Sequence, residues 1–155
     1  MNWGTLISTM LGAVIGVGST LIADRARWSR ELTQRAKETR RELYGQFLTA
    51  LNESAESLWV VGLGDRRTSE HVRLDERLRA EVHRTGLYSY REQVMILGTD
   101  NVVRGADQAV DRVREYRDCL INGHVVGSTE ETAAMTAYKA TIKQLRGAMR
   151  ADLAQ

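Results

Sequence analysis

Residues 28–61 read WSRELTQRAKETRRELYGQFLTALNESAESLWVV, and their apolar stripe falls at Trp28, Leu32, Ala36, Leu43, Phe47, Leu51, Ala55 and Leu58. The steps are mostly three, four or seven, the period of one helix face rather than the alternation of a strand. Gly45 is the only glycine inside the stretch, and the 155 residues contain no proline. Proline is the main breaker of helix interiors, so its absence favours long uninterrupted helices. One helix is expected to run to about Val61, where Gly62-Leu63-Gly64-Asp65 ends it.

Toward the C-terminus the same period returns three times. A second helix is expected from near Ser69 on Val72, Leu78, Val82, Leu87, Val94 and Leu97, with Gly86 able to split or kink it. Within it, Val94-Met95-Ile96-Leu97 is a four-residue apolar run that periodicity alone assigns to neither helix nor buried strand. Gly98 stops that helix, and Thr99 or Asp100 caps a third on Val102, Val103, Ala106, Ala109, Val110, Val113, Tyr116 and Leu120, closed by Asn122-Gly123. Ser128 and Glu131 have capping-box spacing and open a fourth helix on Ala134, Tyr138, Ile142, Leu145, Met149 and Leu153. The expected fold is all-α, an antiparallel four-helix bundle. An extended coiled coil is the rival architecture, but strict heptads are not sustained for three or four repeats.

Toward the N-terminus, Trp3 to Ala23 is twenty-one residues without a charge, about 31 Å of helix at 1.5 Å per residue, the thickness of a bilayer core. Residues 1–23 are read as a transmembrane helix continuing into the bundle, 24–42 as a charged juxtamembrane helical stalk and 43–155 as a cytoplasmic helical bundle. A cleaved signal peptide would need a basic region before the apolar stretch, where only the amino terminus and Asn2 stand. Basic residues instead crowd the C-terminal flank, which carries a net +3 over 24–42, so the N-terminus is expected outside and the bundle in the cytoplasm. Trp3, Arg25, Arg27, Trp28 and Arg30 are the expected interface residues. A helix buried in a soluble oligomer is the competing reading of the apolar run.

Ser8, Gly12, Gly16 and Thr20 recur every four residues and share one helix face. Small residues let membrane helices approach closely, so this stripe is the expected site of self-association. Glycine and threonine are also simply common in membrane helices.

Composition excludes more than it assigns. One cysteine rules out a disulfide scaffold and a cysteine-based zinc site. Basic and acidic residues nearly balance in every segment (seven and six over 24–61, seven and six over 62–98), so no face is concentrated enough for nucleic acid. The residues three before His71, His83 and His124 are Thr68, Ala80 and Ile121, so the Glu-x-x-His pair of a di-iron bundle is missing. His71 and Asp75 share a helical face, as do Glu53 and Glu56, and both pairs read as solvated surface. Cys119 sits beside Asp118, which opposes thiolate formation. No phosphate-cradling glycine motif or nucleophile elbow occurs. Neither catalytic, metal-binding nor cofactor-binding residues are expected. The five tyrosines are expected to pack with their hydroxyls at the bundle edge.

The sequence resembles the uncharacterised small single-pass helical proteins of high-GC Gram-positive bacteria. The likeness rests on Ala23-Asp24-Arg25 after the charge-free stretch, Arg40-Arg41-Glu42-Leu43-Tyr44 leading to Phe47-Leu48, and Gly86-Leu87-Tyr88 leading to Val94-Met95-Ile96-Leu97-Gly98. It extends to the ending Leu145-Arg146-Gly147-Ala148-Met149-Arg150-Ala151-Asp152-Leu153. This resemblance implies a tethered helical fold and carries no activity. The functional expectation is a non-enzymatic membrane scaffold or interaction protein whose partners are the lipid bilayer, a second copy of itself and a further protein. The alternative is a sensory bundle holding a small ligand between its helices; a third reading lets residues 24–42 bind anionic lipid.

Overall fold

A computed structural model describes the backbone of residues 3–64 and 71–154 and, of their side chains, those of 25, 28, 31–64 and 74–154. All regular structure among these residues is helical: α1 (Trp3–Gly64), α2 (His71–Arg84), α3 (Leu87–Leu97), α4 (Asp100–Ile121) and α5 (Thr129–Leu153). The chain divides into two compact units, Met1–Thr39 and Arg40–Gln155.

In the first unit α1 is unbroken, and Thr39 Oγ1 donates to the Arg35 carbonyl at 3.0 Å. Trp28 and Leu32 are exposed, at 68% and 54%. The apolar stripe over 28–36 therefore forms no core, although it continues the register of the buried stripe that begins at Leu43.

The second unit carries a complete core of its own, because every buried apolar residue described lies between Leu43 and Met149. Phe47, Leu51 and Leu58 are fully buried from α1 and meet Leu78, Leu87 and Val94 of α2 and α3, Val102, Val110 and Tyr116 of α4, and Leu145 of α5. Cross-helix pairs give the directions. Tyr44 meets Asp152 while Tyr138 reaches Asn52, so α1 and α5 are antiparallel. Tyr116 meets Glu131 while Gly105 stands against Leu145, so α4 and α5 are antiparallel too. Arg91 pairs with Asp107 and Arg114 lies over the Tyr88 ring, which runs α3 against α4. The helical part of the expected fold thus holds as an up-down-up-down bundle, with its second rod made of two helices.

That rod breaks at Gly86, whose φ of +69° lies in the left-handed region that a side chain disfavours. The Val94–Leu97 run is helical, and only Val94 turns into the core; Met95, Ile96 and Leu97 are exposed. Leu97 was expected on the buried stripe, but its helix ends there and the backbone leaves at Gly98. The opening of α5 matches its spacing: Ser128 Oγ accepts from the Glu131 amide at 3.2 Å. The Glu131 carboxylate reaches one residue further back than a capping box requires, accepting from the Gly127 amide at 3.1 Å. At Gly105, α4 comes so close to α5 that a Cβ would stand 3.1 Å from Leu145 Cδ1.

Candidate functional site

The bundle interior holds polar pairs that periodicity does not reveal. Tyr44 and Tyr116 pack on the apolar stripes as expected, but their hydroxyls do not reach the bundle edge: the residues are 2% and 1% exposed. Their hydroxyls need partners inside, and each finds a carboxylate: Tyr44 donates to Asp152 Oδ2 at 2.7 Å and Tyr116 to Glu131 Oε1 at 2.9 Å. Both acceptors are themselves buried. Burial, and then the carboxylate acceptor, raises both phenols well above the ordinary tyrosine range. Tyr138, which donates to Asn52 Oδ1 at 3.3 Å, is pushed up to about 12 chiefly by burial. None of the three supplies a phenolate near neutrality. Ser54 Oγ lies 2.8 Å from Thr85 Oγ1, tying α1 to the turn before Gly86.

Grooves open along α1 among the described residues. Between α1 and α5, at the end where Arg40 enters the bundle, a groove of about 340 Å³ has Leu48 and Met149 in its floor and Arg41, Lys143, Arg146 and Arg150 on its rim, with no acidic residue lining it. Further along the same seam, about 480 Å³ lies between Asn52, Glu56 and Trp59 of α1 and Glu131, Met135, Tyr138 and Lys139 of α5. A third, of about 500 Å³ between α1 and α2, is lined by Glu53, Glu56, Glu81 and Arg84.

Six arginines elsewhere stand beside carboxylates: Arg79 with Asp75, Arg84 with Glu81, Arg91 with Asp107, Arg112 with Glu115, Arg114 with Asp111 and Arg117 with Asp118. Arg41, Lys143, Arg146 and Arg150 are exposed and form no ion pair with any described carboxylate. Just behind them the buried Asp152 is held by Tyr44, with Arg40 Nη1 at 3.8 Å from Oδ1.

The residues singled out in the sequence fall elsewhere. The side chains of Ser8, Gly12, Gly16 and Thr20, and those of Trp3, Arg27, Arg30 and His71, lie outside those described. Arg25 and Trp28 are exposed. Among the described residues no helix is long and apolar enough to cross a membrane, and no group of three His, Cys, Asp or Glu could hold a metal ion. His83 stacks near Tyr88, with ring centroids 5.3 Å apart, and His124 Nδ1 lies 3.8 Å from Glu130. Glu53 and Glu56 are exposed, as expected. Cys119 is half-buried, and its thiol is raised by burial and then by Glu131 and Glu130.

Sequence reasoning missed the cationic groove. Part of its signal was present, since Lys143, Arg146 and Arg150 stand at i, i+3 and i+7 on one helix face. Arg41 joins them only through packing across 102 or more residues of chain. No family model, curated protein or solved structure matches the chain.

Proposed function

We propose that the chain is a non-enzymatic, membrane-tethered interaction module: a single-pass N-terminal helix carries a cytoplasmic helical bundle and self-associates through Ser8, Gly12, Gly16 and Thr20. The observation that carries this reading is the pairing of a charge-free bilayer-length stretch with a bundle whose buried polar groups are spent on holding helices together. Tyr44 with Asp152 and Tyr116 with Glu131 join helices, which is structural work. The groove rimmed by Arg41, Lys143, Arg146 and Arg150, with no acidic residue lining it, is a surface feature suited to binding. The basic flank of residues 3–23 favours an outside N-terminus, and the resemblance to single-pass proteins of high-GC Gram-positive bacteria supports the tether.

Membrane fractionation of the full chain, with protease accessibility of a C-terminal tag in intact cells, tests this reading. Full-length protein that resists alkaline extraction, with the tag protected, is the expected result. Alkali-soluble protein would place residues 3–23 within a protein core and remove the tether. Gly12→Ile and Gly16→Ile are expected to lower the signal of a membrane two-hybrid assay; an unchanged signal removes self-association through the stripe.

The groove at Asn52 and Tyr138 favours a second reading, a sensory bundle that holds a small ligand. It joins apolar Trp59 and Met135 to Glu56, Glu131 and Lys139 in about 480 Å³. A metabolite screen for thermal stabilisation would support it if the shift vanished in Trp59→Ala.

A further inference from the structure

Four cations gathered around an apolar floor, in a groove that no acidic residue lines, call for an anionic occupant with an apolar part. We infer that the Arg41–Lys143–Arg146–Arg150 groove docks the bundle on the headgroups of an anionic bilayer. The groove floor of Leu48 and Met149 accepts the upper part of an acyl chain or glycerol backbone, while the rim cations meet phosphate.

Two further observations favour a bilayer over an acidic protein segment. The groove opens at the same end of the bundle as the α3 terminus, because Gly98 stands beside the Tyr44 hydroxyl. There Met95, Ile96 and Leu97 are exposed, Ile96 at 80%. An exposed apolar tip at the same end of the bundle as a cationic groove matches the layering of a membrane surface, with charge at the headgroups and carbon beneath. In sequence, Arg40 and Arg41 close the stretch 24–42 with its net +3, which follows directly on the charge-free residues 3–23.

The inference rests on the membrane location proposed above, but its test separates the two. The fragment 40–155 holds the complete core and lacks both the charge-free stretch and most of the basic flank. Co-sedimentation of this fragment is measured with vesicles of phosphatidylcholine alone and with vesicles of three parts phosphatidylcholine to one part phosphatidylglycerol. Binding is expected only to the second, falling as salt is raised. Lys143→Gln and Arg146→Gln are each expected to weaken it about fivefold, and Arg104→Gln on α4 to leave it unchanged, with thermal melting showing that all variants fold. Binding equal on both vesicles, binding insensitive to the two groove substitutions, or no binding to vesicles with salt-sensitive binding to poly-glutamate would overturn the inference, the last in favour of an acidic protein partner. A bundle that fails here while the full chain still resists alkaline extraction leaves the tether standing without the dock.

Discussion

Tyr44 near the start of the bundle and Asp152 in the last turn of α5 share a buried hydrogen bond of 2.7 Å across 108 residues of sequence. This bond closes the bundle at the end where α1 enters it. Among the described residues Asp152 Oδ1 has no hydrogen-bond partner, and the half-exposed Arg40 guanidinium lies 3.8 Å away. The carboxylate therefore depends on Tyr44 for its one short bond.

Tyr44→Phe is expected to destabilise the bundle by about 1–3 kcal/mol, since it leaves a buried acceptor unpaired. Asp152→Ala removes the acceptor as well, so the double variant should cost less than the sum of the singles. Urea unfolding of the four proteins in a double-mutant cycle measures the coupling, and additive losses would show that the two side chains stabilise the bundle independently.

Gly86→Ala places a Cβ on a residue with φ of +69° and is expected to cost about 1–2 kcal/mol. Gly86→Asn should cost less, because asparagine tolerates the left-handed region better than alanine. Equal melting temperatures for the wild type and Gly86→Ala would mean that α2 and α3 can merge into one rod without loss.

At the start of α5 two residues do different amounts of work. Ser128→Ala removes one cap and is expected to cost about 1 kcal/mol. Glu131→Ala removes the acceptor for both the Tyr116 hydroxyl and the Gly127 amide, so the larger loss is expected there. Thermal melts of the two variants give the order directly.

Alkali should loosen the bundle through its buried phenols. Tyr138 has an ordinary value of 10.0 and is held up to about 12 when folded, so its stabilising contribution is complete below pH 10 and is lost as pH rises toward 12. Over that window the slope is about 1.4 kcal/mol per pH unit for Tyr138. Tyr44 and Tyr116, raised for the same reason, act in the same direction. Urea unfolding between pH 9 and 11.5 is expected to show a steep fall above pH 10 that is shallower in Tyr138→Phe.

The helical class, the stripes on α4 and α5 and the Ser128 cap were legible in the sequence because each depends on residues within a few positions of one another. Glycine at 86 marked a possible break for the same local reason, since one residue's φ is the whole question there. The fate of Met95, Ile96 and Leu97 was not legible: an apolar run shows that burial is available, and only the neighbouring helices show which faces are covered. Trp28 and Leu32 make the same point from the other side, continuing the register of a core stripe while remaining exposed.

Local chemistry along the chain was sufficient to specify helices, caps and a charge-free N-terminal stretch, because hydrogen bonds at i to i+4 and steric limits on φ act between near neighbours. Tertiary packing alone brought Tyr44 to Asp152, Tyr116 to Glu131, and Arg41 to Lys143, Arg146 and Arg150. Those associations depend on which helix faces meet. Removing apolar surface from water drives the faces together, and the polar and charged groups they carry are then positioned by that packing, at distances no spacing in the sequence encodes.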